Sequence, residues 1–307
     1  MKKKWLVLGS AVGISSIVMV TTGFSAMAST SGYDAYKSAL KNTKAVQNVA
    51  VQASASLQDN GNNLVSANGV FKVNVAGKTA SGNANVTVNG TQQSLSVYKQ
   101  EGQTVMKSAS SDVYYVKQEG KEKNKKEKTT EDGQLSAQVE TVIDALVGNL
   151  KDYVAVDNKS DGSKDISIQL DNAQIPTVIN AIAPIAIKEA TKHKDDREQK
   201  DDNKPEPQLF QKDLLKDAAP QLSQDIKIEN VVIKATVDAS NFIQHQEADL
   251  TVSGKDDSGT AHKVTLHLQA DMSGYNSTTP DTIDLTGKTV QTLQKHGHEG
   301  KNHDDNE

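Results

Sequence analysis

The sequence predicts an α+β fold, in which helices cover the concave face of one large curved antiparallel sheet. Apolar and polar residues alternate with a period of two through residues 49–116 and again through residues 226–270, as in half-buried strands. Between these blocks, residues 134–150 repeat apolar side chains at helical spacing. Two strand blocks with helices between them indicate one sheet with helices packed on one of its faces.

The N-terminus has the pattern of an export signal that is cleaved after Ala28. Lysines occupy positions 2–4, a weakly apolar stretch covers residues 5–20, and a small-x-small site ends at Ala28. The alternative interpretation is a retained anchor helix. We expect the mature chain to be secreted, on the exterior of a bacterial cell envelope, and to contain no transmembrane segment.

The composition excludes several classes of protein. The chain has 307 residues, 34 basic against 39 acidic side chains, no cysteine and only 12 aromatic residues. A net-negative chain with one arginine lacks the basic patch of a nucleic-acid-binding protein. The absence of cysteine excludes a disulfide framework, a thiol nucleophile, cysteine-ligated zinc and a cysteine-linked lipid anchor.

The first strand block follows a short helix predicted over residues 33–47. Residues 49–58 then alternate as a strand, and the cluster DNGNN at 59–63 predicts a turn. Asn89–Gly90 is a strong hairpin signal, and Glu101–Gly102 predicts a further turn. This block therefore predicts about six strands in a meander.

The middle of the chain mixes helical patterns with charged stretches. We predict disordered inserts at 120–132 and 192–208, helices at 134–150, 175–187 and 209–222, and a short strand at 166–170. The charged insert at 120–132 has an alternative interpretation as a docking site for an anionic surface. Residues 175–187 are apolar on nearly all sides, which indicates either core burial or the lining of an apolar cavity.

In the second strand block, the alternating apolar residues change from even positions (Ile226, Ile228) to odd positions (Val231 to Val237). This change of parity predicts a bulge at Glu229–Asn230. Turns are predicted at 238–241 and 254–259, and the last long strand at 262–270. His262 and His267 have opposite parity on that strand, so we expect them on opposite faces. Residues 29–290 thus form one predicted domain, in which 283–285 is a docking segment, and residues 291–307 form a disordered tail rich in His and Asp.

This layout resembles the outer-membrane lipoprotein carrier and mycobacterial lipoprotein superfamily (LolA/LppX-like). The resemblance covers most of residues 33–285 and rests on the order of an export signal, an N-terminal helix, a strand meander, central helices and closing strands. The segment PDTIDLTG at 280–287 also looks like those of exported Firmicute proteins of this kind. The resemblance implies a half-open β-barrel, lidded by helices, that holds acyl chains in an apolar cavity.

Two functional hypotheses follow. The first is a non-enzymatic binding protein whose apolar cavity holds a lipid or another hydrophobic small molecule. Its predicted lining comes from the two central apolar helices: Val142, Leu146, Ile175, Val178, Ile179, Ile182 and Ile185. The second is a structural or protein-interaction module of the cell envelope with a fully packed core, whose partner is another envelope protein.

The sequence shows no catalytic constellation, and we predict neither a cofactor nor a metal site. No nucleophile elbow, phosphate loop or dinucleotide fingerprint occurs. His296, His298 and His303 lie in the polar C-terminal tail, where nothing holds imidazole ligands in a fixed geometry.

Overall fold

Twelve strands form one sheet in the computed structural model, which describes residues 31–118, 153–175, 184 and 218–293. The described elements, in chain order, are α1 Ser31–Lys44, β1 Asn48–Asp59, β2 Asn62–Asn74, β3 Thr79–Val88, β4 Thr91–Gln100, β5 Gln103–Ser108, β6 Tyr114–Gln118, β7 Val154–Asn158, β8 Lys164–Asp171, β9 Gln224–Val237, β10 Ile243–Lys255, β11 Ala261–Ser273 and β12 Val290–Leu293. Their order across the sheet is β12-β6-β5-β4-β3-β2-β1-β11-β10-β9-β8-β7. The sheet is mixed, since β12 and β6 run parallel while every other neighbouring pair is antiparallel.

The two strand blocks join at the centre of the sheet. Strand β1 pairs with β11 from Ala50 opposite Ser273 to Asp59 opposite Val264. Strands β1–β6 follow one another as neighbours on one side of this junction, and β11–β7 follow in reverse chain order on the other. The expectation of one large, predominantly antiparallel sheet is confirmed.

Tight turns connect the strands of the first block. Asn89 and Gly90 have φ angles of 47° and 82° and link Val88 directly to Thr91. Positive φ at both central positions defines a type I′ turn, whose twist matches that of the two strands. The predicted Asn–Gly hairpin is therefore confirmed.

The predicted bulge in β9 is also confirmed. Asn230 pairs with Thr251 and Ile228 pairs with Val252, so Glu229 is an extra residue without a counterpart on β10. A single inserted residue shifts the side-chain alternation by one position. Ile228 and Val231 consequently lie on the same face of the sheet.

Side-chain alternation gives the sheet two different faces. The apolar face carries small and branched aliphatic residues in the central strands: Val51, Ala53, Ala55, Leu57, Ala248, Leu250, Val252, Val264, Leu266, Leu268 and Ala270. The polar face carries serine, amide and charged residues at the alternate positions: Gln52, Ser54, Ser56, His245, Glu247, Asp249, Thr251, Thr265, His267, Gln269 and Asp271. This division is what a sheet with one packed and one wet face requires.

Helix α1 packs at the β7–β10 side of the sheet. Its Tyr36, Ala39 and Leu40 form a buried cluster whose other members come from the sheet: Ile166, Ala235, Val237 and Ile243. The Tyr36 hydroxyl accepts a hydrogen bond of 2.6 Å from Gln246 Nε2. Burial raises the pKa of the Tyr36 hydroxyl. The helix predicted over 33–47 is thus confirmed, with its ends two or three residues earlier in the chain.

The predicted α+β class, in which helices cover the sheet, is wrong. The described residues form a large mixed sheet with the single helix α1, which packs at one side. The helix predicted over 209–222 has no helical residue in its described part, 218–222. Pro220 lies in that part, and proline lacks an N–H donor and restricts the residue before it.

Several predicted segments lie outside the described residues. These are the export signal at 1–28, the insert at 120–132, the helix at 134–150, nearly all of the helix at 175–187, the linker at 192–208 and the end of the tail. The structure adds two strands that the pattern did not predict, β7 and β12. In the described part of the chain, no helix has the length and apolar character needed to cross a membrane.

A C-terminal strap, residues 274–289, crosses the polar face before β12 begins. The Asp281 backbone N–H donates to Ser81 Oγ (2.8 Å), and Lys72 Nζ donates to the Asp281 carboxylate (2.9 Å). Gln100 binds the backbone of Ile283, and Pro280 between these contacts is buried. The strap therefore covers part of β2–β4, as expected for the docking segment predicted at 283–285.

Candidate hydrophobic binding face

Two neighbouring rows of aliphatic side chains run across the middle of the apolar face. Strand pairing places the first row in the order Leu57, Leu266, Leu250 and Val231, and the second in the order Ala55, Leu268, Ala248 and Ile233. All eight residues are half-buried. We call them the central rows, and they leave apolar surface in the middle of the sheet.

Both sides of the central rows are more completely covered. Toward β8, Ile168, Leu170, Ile175 and Ile228 form a buried cluster. Toward β3, Val86 and Val88 are buried in a cluster with Ala218, and Val65 and Ala67 pack against it. The half-buried surface therefore lies between two closed regions of the core, as in a trough.

On the apolar face of the first strand block, most side chains in β1–β3 are small. Phe71 is the aromatic residue of β2. Its ring lies over Gly69, two positions earlier on the same strand, and over Gly82, directly opposite on β3. A Cβ atom at Gly82 would lie 2.4 Å from Phe71 Cδ1, and one at Gly69 would lie 2.8 Å from Phe71 Cε2. Phe71 thus uses the space that the two glycines leave. Ala53, Ala67 and Ala84 elsewhere on this face carry no large group above the sheet.

Among the predicted lining residues, only Ile175 falls within the described part of the chain. Ile175 is 5% exposed and belongs to the buried cluster at the β8 side of the trough. The other six predicted residues, Val142, Leu146, Val178, Ile179, Ile182 and Ile185, lie outside the described residues. Their role as a lining stays a prediction.

The central rows were not singled out from the sequence. The period-two pattern identified the four strands that carry the rows and the alternation of their side chains, including Leu57, Leu250 and Leu266. It gave no information on which strands are neighbours, because the pairing of β1 with β11 joins residues about two hundred positions apart. The sequence signal that bears on the trough is the presence of leucine at the alternating apolar positions of β1, β10 and β11.

A histidine–carboxylate pair lies at the end of the apolar face next to the central rows. His262 Nδ1 is 2.8 Å from Asp59 Oδ2, and the two side chains are 14% and 17% exposed. Leu57 and Val264, each two positions away along its strand, continue the apolar face from this pair. The hydrogen bond with Asp59 raises the pKa of His262, against the smaller opposing effect of burial.

Two atoms of this pair have no hydrogen-bond partner in the structure. Asp59 Oδ1 and His262 Nε2 are both buried and both unmatched. The carboxylate nearest to His262 Nε2 is that of Asp256, at 3.5 Å, which is too long for a strong hydrogen bond. Buried polar atoms are rarely left in this state, because an unmatched donor or acceptor costs about 1–3 kcal/mol.

The polar face carries a separate charged group at His245. Its Nδ1 lies 2.7 Å from Asp271 Oδ1 and its Nε2 lies 3.3 Å from Glu247 Oε1. Burial lowers the pKa of His245, but the hydrogen bonds to the two carboxylates outweigh it, so the pKa is raised. Lys234 also pairs with Glu247 at 3.3 Å. These are partly exposed ion pairs of the kind found on a solvated sheet face.

The described residues contain no group of three or more His, Cys, Asp or Glu side chains arranged to hold a metal ion. His296, His298 and His303 lie outside the described residues. The two histidines of β11 take separate partners, His262 with Asp59 and His267 with Asp249, on opposite faces as their parity predicted.

Comparison with solved structures finds chains that align with this one, while comparison by sequence finds none. No protein-family model matches the chain, and no curated protein matches its sequence. A crystal structure of a DUF1329 family protein from Desulfovibrio piger aligns with 80% of this chain and 92% of its own, at 11% sequence identity and a TM-score of 0.18. A likeness of this extent assigns no function, and the resemblance to the LolA/LppX-like superfamily stays a prediction.

Proposed function

We propose that this protein is an exported, non-enzymatic binding protein that holds a lipid or another hydrophobic ligand against the apolar face of its sheet. The observation that carries the proposal is the half-buried state of the central rows between two buried clusters. Soluble proteins rarely leave contiguous aliphatic surface of this kind without a use for it.

The central rows have the length and the aliphatic character of a binding surface for an alkyl chain. Neighbouring strands are about 4.8 Å apart, so each row, which crosses from β1 to β9, extends over roughly 14 Å. Each methylene group that leaves water contributes about 0.8 kcal/mol, and eight methylenes would contribute about 6 kcal/mol before the entropic cost of binding. An extended alkyl chain is therefore a suitable ligand, because all eight side chains of the central rows are aliphatic.

Native mass spectrometry of the protein, purified from its own host without detergent, tests the proposal. We expect a bound mass that organic solvent extracts and that lipid analysis identifies as hydrophobic. Leu266→Glu places a carboxylate in the central rows and should reduce the bound fraction at least tenfold. Val70→Glu is the matched control, because Val70 is 46% exposed on the polar face.

A single ligand-free mass for the wild-type protein would contradict the proposal. So would equal loss of ligand in both glutamate variants, since that result would indicate general destabilisation. A ligand-free protein with a fully packed interior would instead favour the structural or protein-interaction module of the cell envelope.

The exported location is a separate part of the proposal, and it rests on the N-terminal pattern that ends at Ala28. N-terminal sequencing of the protein from the culture medium or the envelope exterior should give Ser29 as the first residue. A mature protein that starts at Met1 would contradict export by cleavage.

A further inference from the structure

We infer that strand β12 is a docking edge for a partner protein, which adds an extended strand to the sheet and carries an acidic side chain beside Lys288. This inference is independent of the proposed function, because β12 lies at one end of the sheet and the central rows cross its middle. It identifies a second surface, the backbone atoms that form it and the charge of the partner.

The backbone of β12 points alternate residues to opposite sides of the strand. The Tyr114 N–H donates to the Thr289 carbonyl at 2.8 Å, so the backbone of Thr289 faces β6. Because the direction alternates along a strand, the odd-numbered residues of β12 bond to β6 in the parallel register of the two strands. The N–H and C=O groups of Val290 and Thr292 therefore point away from the sheet.

The outward side of β12 is an open edge in the described part of the chain. Strand β12 ends the sheet, Val290 is 43% exposed, and Gln291 and Thr292 are also exposed. Sheets commonly protect such an edge with charged residues, proline or a bulge. The strand Val290–Leu293 has none of these devices. An edge of this kind accepts an extended peptide through main-chain hydrogen bonds.

Two lysines beside β12 define the charge of the partner. Lys107 Nζ lies 5.6 Å and Lys288 Nζ 5.1 Å from the ring centroid of Tyr114, which is the residue opposite Val290 on β6. Lys288 therefore leans toward the sheet and leaves the outer edge of β12 open. The ion pairs between lysines and carboxylates of the described residues all use other lysines.

The acidic residue on the strap near Lys288 is already engaged elsewhere. Asp284 Oδ1 accepts hydrogen bonds from the Thr286 N–H (2.9 Å) and the Thr286 hydroxyl (2.8 Å). These bonds are the main reason that the pKa of Asp284 is lowered, and Lys288 contributes less. A carboxylate on an incoming strand, next to Val290, would lie near both lysines and would offset the repulsion between their charges.

A second copy of this chain is a poorer occupant of the edge. Strand β12 has four residues, and two paired strands of that length bury far less than the roughly 1,000 Å² that a stable interface needs. Self-pairing would also bring a second set of lysines to the edge instead of a carboxylate. The charge therefore favours an acidic segment of another protein.

Two peptide probes test the inference through NMR-detected amide hydrogen exchange of the full mature chain. The acidic probe is acetyl-STVEVTVS-amide, and the basic probe has lysine in place of its glutamate. In the free protein, the amides of Val290 and Thr292 should exchange faster than those of Gln291 and Leu293. The acidic probe should slow exchange at Val290 and Thr292 by about tenfold or more. It should also bind about tenfold more tightly than the basic probe.

Variants of the edge and of its charge have matched controls. Lys288→Glu should reverse the preference between the probes, whereas Lys78→Glu changes an exposed lysine in the turn before β3 and should keep it. Thr292→Pro removes one outward N–H and should weaken binding of the acidic probe by about tenfold. Thr292→Val retains that N–H and should bind as the wild-type protein does. If Thr292→Pro detaches β12, as fast exchange at Gln291 would show, the charge variants serve alone.

The possible failures are distinguishable from failure of the proposed function. Unchanged exchange at Val290 and Thr292 with the acidic probe in millimolar excess would overturn the inference, and so would equal affinity for the two probes. Slow exchange at both amides in the free chain would show an edge already occupied, by a second copy if protection rises with protein concentration, and would also overturn it. Leu266→Glu should leave peptide binding unchanged, because the central rows are a separate surface.

Discussion

The side-chain amide of Gln100 forms two hydrogen bonds with the backbone of a single residue, Ile283. The Ile283 N–H donates to Gln100 Oε1, and Gln100 Nε2 donates to the Ile283 carbonyl, both at 2.8 Å. The amide thus pairs with the strap as a neighbouring strand would. Gln100 is 9% exposed, so its two polar atoms depend on this pairing for their hydrogen bonds.

Gln100→Ala should therefore release the strap. The change leaves the N–H and the carbonyl of Ile283 without their partners, and we expect a loss of about 1–3 kcal/mol in the free energy of unfolding. Limited proteolysis should also cut residues 274–289 faster than in the wild-type protein. Gln118→Ala is the control, because the exposed Gln118 side chain bonds to Gln103 and makes no contact with the strap. An unchanged cleavage rate would show that the strap is held by other contacts.

Gly82→Ala should strongly destabilise the first strand block. A Cβ atom there would lie 2.4 Å from Phe71 Cδ1 and 2.8 Å from the Val70 carbonyl oxygen, so the phenyl ring and the backbone must both move. Overpacking of this kind costs about 1–3 kcal/mol. Urea unfolding of the single variants and of Gly82→Ala with Phe71→Ala forms a double-mutant cycle. We expect the double variant to lose less unfolding free energy than the sum of the two single losses, because removing the ring relieves its clash with the new Cβ atom. Recovery should be incomplete, since the close contact with the Val70 carbonyl oxygen persists. A loss in the double variant equal to the sum of the single losses would contradict the steric explanation.

Local signals predicted the local structure well. Asn89–Gly90 specifies its own turn, because few other residue pairs accept positive φ at both positions. The parity change near Glu229 likewise specified a bulge without knowledge of the partner strand. Each of these features depends on a few consecutive residues, and these are what a sequence pattern contains.

Long-range structure was not accessible in the same way. The trough depends on β1 pairing with β11, and no local pattern encodes that contact between Leu57 and Leu266. Strand β12 was missed because Val290–Leu293 is short and mostly exposed, and it is defined by its parallel pairing with β6 rather than by alternation. The predicted α+β class was wrong because the described residues form a twelve-stranded mixed sheet with one helix at its side, and the number of strands that join one sheet depends on long-range pairing.

The stability of the protein should depend on pH through His262. Its pKa in the folded state is raised, mainly by the hydrogen bond with Asp59. The folded state therefore holds the proton more tightly than the unfolded state, in which the pKa is about 6.5. The stabilisation is fully present below that value and is lost as the pH rises through the folded-state pKa.

Urea unfolding at pH 5.5 and pH 8.5 measures this effect. The difference in unfolding free energy between the wild-type protein and His262→Gln should be larger at pH 5.5 than at pH 8.5. In an Asp59→Asn background, the same comparison should lose most of its pH dependence. A difference that is constant with pH, or larger at pH 8.5, would contradict a raised pKa.

Tyr36→Phe should weaken the attachment of helix α1 to the sheet. The Tyr36 hydroxyl accepts a hydrogen bond from Gln246 Nε2, and Gln246 is 6% exposed on the apolar face of β10. Without the hydroxyl, the amide loses this acceptor inside the core, and we expect the free energy of unfolding to fall by about 1–3 kcal/mol. Tyr36→Phe combined with Gln246→Leu removes both polar groups and should recover part of that loss. Recovery distinguishes an unmatched amide from lost packing, because a pure packing defect in the single variant would persist in the double variant.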